Sequence, residues 1–391
     1  MCRSMRARQI LAAALLGLLA GCAGTERLDS AMATINQDYS RLQDEALLLN
    51  IVRRSASLPA HFTTVTTIRG RSRVFAGANL SVPFGGDAPS DFSFNPHMSV
   101  EQGPGFDVST QDNQEFYRGY IAPISTASLE LMLRQDHAPE LVLSLFLESA
   151  HIQGPEGAER FYNNPSKPAE FERFQQLVNR LVDQGISMET VLLVSPYGPE
   201  LELEQAPSLD QLISARKENL LIETRGEGRY QLTESVESAR FCFALPSEAL
   251  FKRARCKLEN KKEFQLGDPD FFGSVGGNRV YFEAEGIGKL ELSTRSLADV
   301  FDYLGECVRE QEKGKLLTTR TQAGELPIIR VLKGPTTDAV VNVEFAGDRY
   351  SIPSGLDGGQ SGAVLSMVSQ LLSQAQSVEN MPNNSINLIG Q

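Results

Sequence analysis

The chain has 391 residues, with 37 lysines and arginines against 49 acidic side chains, so its formal net charge is −12 at pH 7. Such an acidic chain is poorly suited to nucleic acid, because that binding depends on neutralising phosphates. Hydrophobic residues make up 41% of the sequence, which is enough for a packed core and argues against wholesale disorder. We expect a folded protein with no nucleic-acid partner.

The first 22 residues have the order of a secretory signal. Arginines at positions 3, 6 and 8 precede an apolar run over residues 10–19, which leads into Leu19-Ala20-Gly21-Cys22. The run is too short to span a bilayer, which takes about 20 predominantly apolar residues. The closing tetrapeptide resembles the lipobox of bacterial lipoproteins; an ordinary cleaved signal with a chance cysteine is the alternative.

The lipobox implies a mature protein that is anchored by lipid. Cleavage would fall before Cys22, leaving residues 1–21 as a signal peptide and residues 22–34 as a lipidated tether. The only groups attached to the protein would be covalent acyl chains at Cys22. One acyl chain binds a membrane only weakly, and a second acyl chain makes the anchoring stable. Ala23, rather than an aspartate, follows the cysteine, which favours the outer membrane. We expect an outer-membrane lipoprotein, held by its N-terminal lipid on the periplasmic face, with no cofactor.

Three further cysteines remain after Cys22: Cys242, Cys256 and Cys307. In an oxidising envelope, Cys242 and Cys256 could close a short loop with a disulfide worth roughly 3 kcal/mol. Three buried thiols are the other option, because cysteine is among the most buried residue types. Cys307 falls in an amphipathic pattern and is expected to pack in a helix.

Periodicity and turn residues divide the first part of the chain into helices around an extended region. Helices are predicted at about 35–55, 115–120, 126–135 and 139–150, with extended segments at 62–83 and 92–110. Segments 154–157 and 163–168, rich in glycine, proline and asparagine, indicate a linker. We therefore predict a first domain over residues 35–160 and a second over 161–391.

The second part alternates short strands with amphipathic helices. Helices are predicted at 171–182, 209–218, from Ser296 and at 361–376, and strands or hairpins at 191–194, 220–232, 280–294, 328–332, 340–345, 350–352 and 386–389. Ser296 and Asp299 have the spacing of a capping box. The predicted fold class is α+β, with amphipathic helices packed on mostly antiparallel sheets in two domains.

Several segments together resemble one known family. They are Leu47-Leu48-Leu49-Asn50-Ile51-Val52-Arg53 with Pro59, residues 115–124, residues 295–297 with 303–306, and residues 350–353 through 381–383. On these segments the chain is similar to a family of proteobacterial outer-membrane lipoproteins of uncharacterised function. It departs from the family pattern at Arg54-Ser55, where an aromatic residue is common. The resemblance implies no established activity and gives no residue a catalytic role.

Catalytic motifs are weak. Gly359-Gln360-Ser361-Gly362-Ala363 approaches the G-x-S-x-G pattern, but that fold needs a later histidine and all four histidines precede residue 152. Ser361 is better explained as a helix N-cap. The histidines lack metal-site spacing and no C-x-x-C pair occurs. We expect no catalytic or metal-ligating residue, and an envelope hydrolase is the weakest alternative.

The extended region carries a candidate partner or pore face. Arg69, Arg71 and Arg73 alternate, so on a strand they share one face. Two runs of the length of transmembrane strands could form one long hairpin, and hairpins from several subunits could close a sheet without open edges. Because prolines interrupt the second run and the apolar face is weak, a soluble hairpin is favoured.

The expected function therefore follows from the predicted location and architecture of the protein. The leading hypothesis is a non-enzymatic, lipid-anchored envelope protein that acts as an assembly or interaction scaffold facing the periplasm, with an unidentified envelope protein as partner. The alternative is a subunit of an oligomeric outer-membrane pore or secretion apparatus that uses the hairpin at residues 62–110.

Overall fold

The computed structural model describes residues 26–81, 93–110, 114–154, 157–203, 205–243, 263–265, 279–334 and 336–376. The chain divides into two compact units. The first comprises Met1–Gln43 and His61–Asp112, and the second comprises Asp44–Ala60 and Asn113–Gln391. The second unit contains most of the secondary structure.

Eight α-helices occur in the described ranges. They are α1 Glu26–Ser55, α2 Gln114–Ile121, α3 Thr126–Leu133, α4 Pro139–Phe146, α5 Pro168–Asp183, α6 Leu209–Lys217, α7 Leu297–Glu312 and α8 Ser361–Gln376. α1 begins at Glu26 rather than near Ile35, so part of the predicted tether is helical. The run Ala31-Met32-Ala33, rich in strong helix formers, accounts for this extension.

Sixteen strands are described. They are β1 Thr63–Ser81, β2 Ser93–Thr110, β3 Leu147–Gly154, β4 Gly157–Tyr162, β5 Ile186–Pro196, β6 Leu201–Glu202, β7 Leu220–Gly226, β8 Arg229–Phe243, β9 Glu263–Gln265, β10 Arg279–Ala284, β11 Gly288–Thr294, β12 Thr318–Thr321, β13 Gly324–Pro327, β14 Leu332–Lys333, β15 Ala339–Phe345 and β16 Asp348–Pro353.

The sheets of the second unit are small and mostly antiparallel. One has the order β10-β11-β3-β4, and another has the order β6-β8-β5-β9 with β7 also paired to β8. β14, β16 and β15 form a third sheet, and β12 pairs with β13. β9 runs parallel to β5, while the other described pairs are antiparallel. The predicted α+β class is confirmed.

The helix predicted over residues 139–150 ends early. α4 stops at Phe146, and Leu147–Gly154 is strand β3, which pairs with β11 on one side and β4 on the other. Hydrogen bonds from both neighbours favour the extended conformation there, and local periodicity cannot reveal them. Gly154 and Gly157, at the two ends of the segment 154–157 predicted as a linker, belong to β3 and β4 and pair with each other. The predicted boundary at residues 160 and 161 therefore falls inside the second unit.

Other predicted elements agree closely with the structure. α8 has the predicted bounds, and Ser296 and Asp299 form the predicted capping box at the start of α7. Gly185 follows α5 with φ 79° and donates its N–H to the Val182 carbonyl at 2.9 Å. The predicted strand at 328–332 is reduced to β14, the β12–β13 hairpin was not predicted, and the strand at 386–389 lies outside the described residues.

The end of α1 packs closely against α7. Leu47, Leu48, Ile51 and Val52 are buried. A side chain at Gly305 in α7 would lie 2.7 Å from the Ser55 backbone nitrogen, so the two helices can approach only because this residue is glycine. Two segments that carry the family resemblance are therefore in contact.

Polar contacts reinforce the same helix pair. Arg309 Nε donates to the Ser55 carbonyl at 3.0 Å, which satisfies one of the free carbonyls at the end of α1. Arg54, where the chain departs from the family pattern, forms an ion pair with Asp302 of α7. The charge at this position thus has a specific partner on the neighbouring helix.

α2 also packs against α7. Phe116 is buried and its ring stacks on Tyr120 at a centroid distance of 5.9 Å, and Tyr120 lies 6.3 Å from Phe301. The chain therefore leaves the second unit after α1 and returns to it at α2, and both helices are held by α7. In the sequence, strands β1 and β2 of the first unit lie between these two helices.

Candidate functional site

The main candidate is the β1–β2 hairpin of the first unit. The strands have 19 and 18 residues and pair antiparallel from Thr63 with Thr110 to Ser81 with Ser93. Within the described residues this is a separate two-stranded sheet. β2 continues through Pro96 and Pro104 instead of breaking there. The predicted long hairpin is confirmed, and it is longer than an ordinary strand pair.

The register places the predicted arginines on one face. Arg69 pairs with Gly105, Arg71 with Gly103 and Arg73 with Glu101. Because side-chain positions alternate along a strand and paired residues share a face, all six positions belong to the same face of the ribbon. We call it the polar face. Its further positions on the two strands are mostly serine, asparagine, glycine and threonine.

The register also defines an apolar face that sequence analysis underestimated. Four successive cross-strand pairs on it contain only apolar residues: Val74 with Val100, Ala76 with Met98, Ala78 with Pro96, and Leu80 with Phe94. An irregularity between Val65 and Thr67 shifts the alternation by one residue. Val65 and Val108 thereby join this face. Only the cross-strand register shows that these apolar residues of the two strands lie on the same face.

A second candidate is the buried Arg295 at the start of α7. Its Nη1 donates to the carbonyls of Ser144 and Leu145 at 2.9 and 3.0 Å, and its Nη2 donates to the Asn163 carbonyl at 2.6 Å. Ser144 and Leu145 lie in the last turn of α4, where unpaired carbonyls and the helix dipole favour a cation. The Tyr303 ring lies 3.9 Å from the guanidinium carbon. Burial lowers the pKa of Arg295.

These contacts give Arg295 a structural role. It joins the end of α4, the segment after β4 and the start of α7, and Asn163 also donates to the carbonyls of Ser144 and Leu147 at 2.6 and 2.9 Å. The guanidinium donates to three backbone carbonyls and lies against an aromatic ring. The structural role of Arg295 was not predicted from the sequence; its position directly before the capping box of α7 is the local signal that could have indicated it.

The two described cysteines differ in oxidation state. Cys242 is disulfide-bonded, whereas Cys307 is a buried free thiol whose pKa is raised by burial to about 12. The packing predicted for Cys307 is confirmed. Cys22 and Cys256 lie outside the described residues, so lipidation at Cys22 and pairing between Cys242 and Cys256 stay predictions.

The hydroxyl of Ser361 is hydrogen-bonded to two backbone groups. It is the first residue of α8 rather than its N-cap, and its hydroxyl donates to the Gly358 carbonyl at 2.6 Å and accepts the Arg330 backbone N–H at 2.8 Å. The N-cap prediction is wrong because the carbonyl of Gln360 already accepts the first helical bond, from Val364 N–H. Within the described part of the chain, no group of three or more histidine, cysteine or acidic residues has metal-site geometry.

A cavity of about 350 Å³ lies beside the start of α8. Its lining includes Leu141, Ile352 and Leu365, the polar residues Asp136, His137 and Gln360, and several glycines. His137 Nε2 lies 3.1 Å from Gln135 Oε1, and Gln360 Nε2 donates to Thr319 Oγ1 at 2.7 Å. Burial lowers the pKa of His137. The arrangement offers an apolar recess whose polar groups are held by neighbouring side chains.

None of the helices in the described ranges is both long and apolar enough to cross a bilayer. Comparisons with family models, with curated proteins and with solved structures give no match. The family resemblance therefore stays a prediction, and the functional argument rests on the hairpin.

Proposed function

We propose that this protein is a lipid-anchored subunit of an oligomeric envelope pore, and that each copy contributes its β1–β2 hairpin to one sheet across the membrane. The observation that carries this proposal is the pairing register, which separates an apolar face from a polar face in the half of the hairpin nearer its tip. Lipid at Cys22 would hold each copy at the outer membrane before assembly.

The apolar face has the length that a membrane requires. Between positions 73 and 81 on β1, and between 93 and 101 on β2, every residue on this face is apolar. Transmembrane β-strands need about 9–11 residues with alternating apolar and polar positions. The half of the hairpin nearer its tip therefore fits a bilayer, and the half nearer α1 and α2 extends beyond it.

The open edges of the hairpin favour assembly. A single two-stranded hairpin is marginally stable in water, and each outer edge offers a row of backbone N–H and C=O groups. In hydrocarbon, every such group must be paired within the protein. Copies of the same hairpin can pair edge to edge, and closed symmetry then satisfies all edges. Neither outer edge pairs with another described strand of the same chain.

A scaffold without membrane insertion is the second candidate, and α6 favours it. Leu209, Leu212 and Ile213 are 71%, 42% and 46% exposed and have the spacing of one helix face. An exposed apolar stripe of this kind is typical of protein-binding surfaces. Both functions are non-enzymatic, and insertion of the hairpin distinguishes them.

The test compares two adjacent positions on opposite faces of β1. Ala78→Lys introduces a charge on the apolar face, and Asn79→Lys introduces the same charge on the polar face. A lysine facing lipid near the bilayer midplane costs about 2–4 kcal/mol. We expect detergent-extracted wild-type protein and the Asn79→Lys variant to form channels in planar bilayers. Channel formation by Ala78→Lys should fall at least about tenfold, a factor that corresponds to 1.4 kcal/mol.

The proposal is contradicted if the wild-type protein is a monomer or dimer in detergent and gives no conductance. Equal loss in both lysine variants would also contradict it, because the apolar face would then have no special relation to lipid. Circular dichroism of both variants controls for folding.

A further inference from the structure

The charged residues of the hairpin are confined to one face. The two strands carry Arg69, Arg71, Arg73, Glu101 and Asp107, and the register assigns all five to the polar face. The apolar face carries no ionisable residue on either strand. Three positive charges therefore meet two negative charges on a single surface of each copy.

The positive charges lie at consecutive positions of that face. Arg73 is directly opposite Glu101, but Arg69 and Arg71 are opposite Gly105 and Gly103, which have no side chain. With three arginines and two acids, the polar face of each copy carries one more positive than negative charge.

We propose that Arg69 and Arg71 form a positive ring that makes the pore select for anions, an inference that rests on the proposed function. With the apolar face toward lipid, the polar face lines the aqueous path, and symmetry repeats both arginines once per copy. Arg69 and Arg71 lie just beyond the segment that fits the bilayer, so their rings stand at the mouth of the pore. Rings of arginine or lysine favour anions. The chain as a whole is acidic, at −12, so average charge cannot produce this preference.

The measurement is the reversal potential of single channels under a KCl gradient, in planar bilayers of neutral phosphatidylcholine. For the wild-type protein, we expect chloride to permeate roughly threefold or more better than potassium, as for a pore with a cationic ring. Arg69→Gln with Arg71→Gln should bring the ratio close to one. Glu101→Gln should raise it, because it removes an acid from the same face.

Each outcome decides between the proposals. Channels that prefer potassium, or a chloride preference unchanged in the double glutamine variant, overturn the inference and leave the pore intact. No conductance from the wild-type protein overturns the pore and the anion ring together. The opposite shifts expected from Arg71→Gln alone and from Glu101→Gln exclude a general folding defect as the cause.

Discussion

At the scale of single residues, Arg295 shows how a buried charge can be held by backbone carbonyls. Its guanidinium donates to three backbone carbonyls, two of them at the negative end of α4. The residue itself is 4% exposed. Leaving a buried carbonyl without a donor costs about 1–3 kcal/mol, so the contacts of this one side chain have a large effect on stability.

We predict that Arg295→Met lowers the free energy of unfolding by about 3 kcal/mol or more, because the carbonyls of Leu145 and Asn163 lose the guanidinium donor and the Ser144 carbonyl keeps only Asn163 Nδ2. The matched control is Arg180→Met. Arg180 is exposed and donates one hydrogen bond to the Gly286 carbonyl at 3.1 Å, so its replacement should change stability by about 0.5 kcal/mol or less. Urea unfolding of both variants measures the difference, and similar values would contradict the role of Arg295.

Cys307 yields a second prediction at this scale. Because burial raises the pKa of its thiol to about 12, the folded protein at pH 8 should resist alkylation by iodoacetamide, which attacks the thiolate. In a Cys22→Ser variant without its signal peptide, urea alone should expose Cys307 as one reactive thiol per chain. Urea with reductant should expose three.

Mass spectrometry counts the alkylated sites. Three reactive thiols in urea without reductant would contradict the predicted pairing of Cys242 with Cys256. Modification of Cys307 in the folded protein would contradict its inaccessibility.

At the scale of elements, pairing decides conformation where local sequence is ambiguous. Residues 147–150 extend a helical pattern, yet they belong to β3, because β11 and β4 bond to it from both sides. In the hairpin, pairing decides which residues share a face. The alternation of Arg69, Arg71 and Arg73 is visible in one strand, but only the register brings the apolar residues of the two strands onto one face.

At the scale of the whole molecule, two membrane contacts are proposed, the lipid at Cys22 and the hairpin. A Cys22→Ser variant should therefore stay partly with the membrane fraction, because the hairpin can still insert. A second variant combines Cys22→Ser with replacement of residues 62–112 by a glycine-serine linker, and it should appear in the soluble fraction. Cell fractionation with immunoblotting measures the distribution.

The linker variant should keep its fold, because α1 and α2 are both held by α7 through Gly305 and Phe301. Its thermal unfolding, followed by circular dichroism, is the control. Full release of the single Cys22→Ser variant would contradict insertion of the hairpin and favour a scaffold that is held by lipid alone.

The sequence by itself predicted the class of fold and many of its elements. Amphipathic periodicity located α5, α7 and α8, the capping box at Ser296 fixed a helix start, and glycine turns located the hairpins at residues 226–228 and 286–288. These signals are local: a cap, a turn or a buried stripe depends on residues a few positions apart. The candidate arginines were also visible, since alternation lies within one strand.

Tertiary structure alone decided the rest. The close approach at Gly305, the carbonyl contacts of Arg295 and the switch from helix to strand at Leu147 all depend on residues far apart in the chain. The same is true of the apolar face of the hairpin, which needs two strands in a defined register. Sequence patterns record what a residue favours, but its partner across a sheet or a helix interface is fixed only when the chain has folded.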